Sequence, residues 1–189
     1  MEFAELLKRR RTIRLFKQQP VSDELLAGLV DAARVASCAS NKQRLRYIAV
    51  RQPQLVLEVL KHTRWAGLVQ PHRNPQPGIT SPAAFIVMTT TEANPQDSLY
   101  ADAGAAMQSL EFAACDHGLG CCWLGAIDRP EIGKLLNCKN IVYLAAIGYP
   151  DESPRSEEIG ADGDCSYYLD SSGTLTVPKY SLDAVLEFM

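Results

Sequence analysis

The sequence has no long hydrophobic run: its longest apolar stretch, from Ile141 to Tyr149, is far too short to span a bilayer. An excess of one charge is also missing. The 19 Lys and Arg against 22 Asp and Glu leave a formal net charge of −3, which gives no global attraction to nucleic acid or anionic lipid. Histidine is scarce, and His62, His72 and His117 share no ligand spacing. The six cysteines include no C-x-x-C pair, so no metal centre is expected. They read instead as reduced and mostly buried thiols, with Cys121 and Cys122 pointing to opposite faces of a strand. The first residues, Met1-Glu2-Phe3-Ala4-Glu5, lack the basic-then-apolar layout of a signal peptide, and a cytoplasmic location is the expectation. What is present suits a globular chain: 47% of the 189 residues are hydrophobic, enough for one domain over residues 1–189 with a core that needs no staples.

Phe3, Leu6, Leu7 and Arg10 stand at helical intervals and predict a helix over residues 2–10. It runs into the basic segment Arg9-Arg10-Arg11-Thr12-Ile13-Arg14-Leu15-Phe16. Ser22 caps a second helix, with Asp23 and Glu24 at its positive end and Val21 stapled onto Leu26. Strands are expected at Leu45–Val50, Ala83–Thr90, Cys121–Ile127 and Ile141–Ile147. Helices are expected at Gln54–His62, at Asp102–His117 closed by Gly118, and after Asp128 and Glu131, which form a capping-box-like start. Residues 63–81 read as an irregular connection. Beyond Pro150, Tyr167–Leu169 and Leu175–Val177 flank a turn, and a terminal helix is expected over Ser181–Phe188. No glycine fingerprint follows the first strand, so a dinucleotide-binding Rossmann fold is not indicated.

Four features could carry chemistry. Arg10 and Arg14 sit four apart, so a continuing helix would project both to one side, where with Thr12 they could clamp a phosphate. A solvated basic face, or a helix C-terminus favouring cations, accounts for them as well. Single-strand nucleic-acid binding would need exposed aromatics beside such a cluster, and only Phe16 is near. The loop Ser37–Asn41, with Gln43, has small side chains that admit a ligand close to the backbone, or is an ordinary helix-to-strand loop. In Trp123-Leu124-Gly125-Ala126-Ile127-Asp128 a buried strand ends in glycine, which suits either a flat ligand against the main chain or a tight turn. Lys179, held after Pro178, is a late cation or a surface lysine.

In this order the features resemble the nitroreductase superfamily of FMN-dependent oxidoreductases, particularly its short members, from about Leu6 to Tyr180. The resemblance rests on Arg10-Arg11-Thr12-Ile13-Arg14-x-Phe16 and Ala36-Ser37-Cys38-Ala39-Ser40-Asn41-x-Gln43. It continues through Asp102-Ala103-Gly104-Ala105-Ala106-Met107-Gln108, Gly118-Leu119-Gly120, Trp123 to Asp128, Gly148-Tyr149-Pro150 and Val177-Pro178-Lys179. It implies an α+β fold, a mixed central β-sheet flanked by helices, assembled as an intertwined homodimer with FMN at the interface. Arg10, Arg11, Thr12 and Arg14, joined by Lys179, would then hold the phosphate and ribityl end. Ser37, Cys38, Ala39, Asn41 and Gln43 would approach the flavin from the partner chain. Leu124, Gly125 and Ala126 would lie near N5, with the Gly125 backbone as the catalytic element.

The implied activity takes electrons from NADH or NADPH through N5 to a small-molecule acceptor such as a nitroaromatic or quinone, by a ping-pong mechanism. A flavin-binding or storage protein without catalysis, or a relative with another donor or acceptor, is the alternative. The chain departs from the family's Pro-Ser-Ala-x-Asn-x-Gln-Pro-Trp pattern. It has Ser37-Cys38-Ala39-Ser40-Asn41-Lys42-Gln43-Arg44-Leu45, without either proline, and the sequence assigns Arg44 no role. Tyr180 and Ser181 also replace an arginine that some members carry after the late lysine.

Overall fold

The computed structural model describes residues 2–189. In chain order the helices are α1 (Phe3–Arg9), α2 (Asp23–Arg34), α3 (Pro53–Lys61), α4 (Asp97–Asp116) and α5 (Arg129–Leu136). The strands are β1 (Leu45–Val50), β2 (Ala84–Thr90), β3 (Gly120–Leu124), β4 (Ile141–Gly148), β5 (Arg155–Ile159), β6 (Tyr168–Leu169) and β7 (Leu175–Tyr180). The central sheet has the order β1-β2-β4-β3, and its neighbouring strands all pair antiparallel. The N-terminal segment adds a single parallel bridge to β3, between Thr12 and Cys121.

Period-two alternation in fully buried strands builds both halves of the core. Ile86, Met88, Ala145 and Ile147 face α2 and α4, where they meet Leu26, Leu29, Met107 and Leu110. Phe85, Val87, Leu144 and Ala146 face the opposite side, against Val56, Val59, Trp65 and Ile132. Cys121 and Cys122 divide between these two halves as expected. The remaining cysteines are less buried than expected, and Cys165 is exposed. Ser22 caps α2 through the Leu25 N–H at 3.3 Å. Asp128 caps α5 through the Glu131 N–H at 3.2 Å.

Three expectations are corrected. The first helix stops at Arg9, so Arg10 and Arg14 share no helix. Chain contacts override local propensity there, because the Ile13 N–H donates to the Cys121 carbonyl at 2.9 Å and draws the segment out along β3. The strand expected to reach Ile127 ends at Leu124. The terminal helix expected over Ser181–Phe188 is only a single 3-10 turn, Leu182–Ala184. A helix that short needs packing to persist, and Leu182, Val185, Leu186 and Phe188 lie exposed.

Gly120 fixes how closely the arginine segment approaches β3. A β-carbon there would lie 2.7 Å from Cβ of Ile13 and 2.8 Å from both its γ-carbons. Those atoms sit next to the backbone and cannot swing aside. Gly120→Ala is therefore expected to destabilise the protein by about 1–3 kcal/mol and to shift residues 10–14 outward. Equilibrium denaturation checks this, and an unchanged midpoint would contradict it.

Candidate functional site

The extended segment after α1 delivers its arginines to the start of β3. Arg9, Arg10 and Arg11 line a cavity of about 310 Å³ together with Glu111, Cys115, Cys121 and Glu152. Thr12, Arg14 and Lys179 are not on its wall. Arg10 faces Glu111, a buried carboxylate on α4, at 3.6 Å, which is too long for a hydrogen bond. Burial pushes the Glu111 carboxyl above its ordinary range, while Arg10 acts the other way. Arg11 donates to the Lys8 carbonyl at 2.7 Å and to Ser156 Oγ at 2.7 Å, the latter on β5. Burial, then the neighbouring Arg10, lowers the Arg11 pKa.

Arg14 is anchored through its backbone rather than its side chain. Its N–H and that of Leu15 donate to Glu152 Oε1 at 2.5 and 3.1 Å, and Arg73 holds the other Glu152 oxygen at 2.7 Å. The Arg14 guanidinium lies over the Tyr167 ring, 5.2 Å from its centroid. Lys179 is exposed on β7, in register with Glu158 of β5, two positions past the pair Ser156 and Val177. Neither Arg14 nor Lys179 has a carboxylate partner among the described residues.

At the far end of β3 the chain opens outward. Leu124 is buried, whereas Gly125 and Ala126 are exposed and border a cavity of about 570 Å³ walled by Lys61, His62, Arg64 and Arg129. The Arg64 N–H donates to the Ala126 carbonyl at 2.9 Å, while the Ala126 N–H has no acceptor among the described residues. Gly125 does not occupy the left-handed region. A β-carbon on it would meet only the Tyr143 ring, at 3.5 Å, which is ordinary contact. Neither backbone strain nor packing within the chain requires glycine here, so the tight-turn account loses its support.

The loop after α2 occupies a third place. Ser37, Cys38 and Gln43 line a separate cavity of about 360 Å³ with Arg44, Tyr47 and Asp102. Ala39 and Asn41 lie in a short 3-10 turn, and Ser40, Asn41 and Gln43 all have positive φ, near 50°. Such conformations persist only where the surroundings over-determine them. Burial would raise the Asp102 carboxyl, but hydrogen bonds from Arg44 and the Ala39 N–H outweigh it, and its pKa is lowered. The structure thus brings Arg10 and Arg11 together and Gly125 and Ala126 together, and leaves the loop apart from both.

Asp102 enters the sequence reading only within a resemblance motif, without a role, and Glu111 and Glu152 do not enter it. For the first two a signal existed. Leu99, Ala103, Ala106, Met107, Leu110 and Ala114 mark the inward side of α4, and Asp102 and Glu111 interrupt that apolar face. An acid at a core-facing position demands a partner.

Comparison with known proteins agrees with this geometry. The family model "Nitroreductase family" matches residues 7–149. An Archaeoglobus fulgidus protein bearing the name "Putative NADH dehydrogenase/NAD(P)H nitroreductase" is 28% identical over 160 residues, covering 80% of this chain and 87% of that protein. A Desulfovibrio desulfuricans crystal structure, described as "a putative nitroreductase in complex with fmn", superposes with a TM-score of 0.66 at 25% identity, over 83% of this chain and 91% of that one. The fold is also that of a nitroreductase family protein from Streptococcus pneumoniae TIGR4, with a TM-score of 0.70 at 18% identity and full coverage of both chains. Among the described residues no helix is long and apolar enough to cross a membrane. With more than half of its length matched by the family model and a fold that agrees, the chain belongs to the nitroreductase family.

Proposed function

We propose that this protein is an FMN-dependent oxidoreductase that takes electrons from NADH or NADPH and delivers them to a nitroaromatic, quinone or similar acceptor. The observation that carries this reading is the pairing of two features along β3. Arg11, held by Ser156 rather than by a carboxylate, and Arg10, whose partner Glu111 lies beyond hydrogen-bond distance, stand at its start, and an exposed glycine without a structural need stands at its end. At about 3.3 Å per residue, five residues of strand separate a phosphate clamp from a ring platform by a distance suited to a mononucleotide.

The residues present fit the cofactor. Arg10, Arg11, Thr12 and Arg14 offer charge-assisted donors to a phosphate and ribityl chain, and Lys179 adds a cation from β7. Gly125 admits a planar ring against the main chain, and the Ala126 N–H is a donor free to meet its edge. When bound, FMN supplies the redox chemistry, accepting two electrons from the nicotinamide and passing them to the acceptor. The chain's own part is to hold, orient and hydrogen-bond, which needs no side-chain nucleophile. One place serving donor and acceptor in turn gives ping-pong kinetics. Purified protein should be yellow and release FMN, not FAD, on denaturation. A colourless protein that takes up no FMN when supplied would overturn the reading.

A second copy completes the site in this proposal. The loop Ser37–Asn41 stands apart from Arg10 and Gly125 in one chain, so it would reach the partner's flavin. Two exposed surfaces support a partner. Trp123 and Tyr100, both exposed, flank the half-buried Tyr143 in an edge-to-face row, with centroids 5.0 and 6.4 Å from that of Tyr143, beside Gly125. Leu182, Val185, Leu186 and Phe188 form an uncovered apolar tail. Sedimentation at low micromolar concentration is expected to show only a flavin-loaded dimer, with an interface above about 2,000 Å². A flavin-loaded monomer would contradict it.

A further inference from the structure

The loop that lacks both family prolines is closed by an ion pair instead. Arg44 immediately precedes β1 and is 5% exposed, and Asp102 on α4 is 6% exposed. Arg44 Nη2 donates to Asp102 Oδ2 at 2.5 Å, and the other Asp102 oxygen accepts the Ala39 N–H at 2.8 Å. One carboxylate therefore ties the first residue of the loop's turn to the residue that ends the loop. Arg44 is itself fixed from three further directions. Nη1 reaches Glu92 at 3.3 Å, Nη2 reaches Ser98 at 3.3 Å, and the Arg44 carbonyl accepts the Thr91 N–H at 3.1 Å. Between the two tied ends, Ser40, Asn41 and Gln43 hold left-handed conformations that a free loop would relax.

We infer that Arg44 is a positioning residue, which through Asp102 holds residues 39–43 in the shape they present to the partner's flavin. The inference rests on the proposed FMN site for its consequence, though the closure itself does not. Proline removes loop freedom from the unfolded chain, whereas this pair restrains the loop only in the folded one. A guanidinium suits the task because its planar fork bonds Asp102, Glu92 and Ser98 at once; a lysine could satisfy them only singly.

The test uses the full-length protein stripped of flavin and retitrated with FMN, alongside amide hydrogen exchange in the flavin-free state. Arg44→Gln is expected to weaken FMN binding at least tenfold and to speed exchange at residues 39–43, with β2 and β4 still protected. Arg44→Lys should recover part of both effects. Since Arg44→Gln leaves Asp102 without its cation, Arg44→Gln/Asp102→Asn keeps an acceptor for Ala39 without a buried charge, and it should show the same loop-restricted loss. Exchange that rises evenly over the chain in both variants, or local exchange and FMN affinity both within twofold of wild type, would overturn the inference. Failure of the unmodified protein to bind FMN would instead refute the proposed function, while the exchange measurement still decides the closure.

Discussion

Replacing both Arg10 and Arg14 by alanine is expected to strip the protein of FMN during purification. Each arginine would contribute charge-assisted hydrogen bonds worth about 1.5–3 kcal/mol, or roughly a ten- to hundredfold loss of affinity per substitution. Titration with riboflavin, which lacks the phosphate, should show little difference between variant and wild type. Arg10 has a second role that must be separated from this one. It is the cation facing Glu111, so Arg10→Ala alone would leave a buried carboxylate without its counterion. Adding Glu111→Gln removes that charge and should restore stability without restoring FMN binding. If FMN affinity returns with stability, Arg10 serves only to neutralise Glu111, and the clamp is wrongly assigned.

The second large effect is expected at Gly125. Gly125→Val should keep much of its flavin, because the proposed arginine clamp lies at the other end of β3, yet it should bleach slowly with NAD(P)H. A branched side chain would displace the ring or turn the main-chain donors away from it. Loss of one such donor costs about 2.7–4 kcal/mol in the transition state, roughly a hundred- to thousandfold in rate. Gly125→Ala is the control for folding. Its β-carbon makes only ordinary contact with Tyr143, so stability should change by no more than about 0.5 kcal/mol. Stopped-flow reduction of the valine variant at the wild-type rate would show that Gly125 plays no part in the reaction.

Where structure follows from local patterning, the sequence was a sound guide. The Ser22 cap, the uninterrupted apolar runs of β2 and β4, and Gly118 closing α4 at φ 72° each express a short-range rule. Long-range contacts were not legible in the same way. Nothing near Arg10 announces that the chain leaves its helix to follow β3, since the pull comes from Cys121. Strand β5 was missed because Arg155-Ser156-Glu157-Glu158-Ile159 has no apolar alternation and exists by parallel pairing with β7. The terminal helix failed for the opposite reason: its apolar spacing is helical, but its apolar side chains are left exposed rather than packed. At the site, Gly125 and the arginines are proposed from residue order through family resemblance. The partnership of Arg44 with Asp102 joins residues far apart in sequence, and no single-chain pattern encodes it.

Anaerobic addition of NADH or NADPH to the FMN-loaded protein, followed by a nitroaromatic or quinone, decides whether the bound flavin carries electrons from donor to acceptor. The visible flavin absorbance is expected to be lost with at least one nicotinamide and to return fully on adding the acceptor. Initial rates at varied donor and acceptor should give parallel double-reciprocal lines. A flavin that stays oxidised with both nicotinamides, while remaining reducible by dithionite, would contradict the account and identify a protein that binds FMN without using it as proposed.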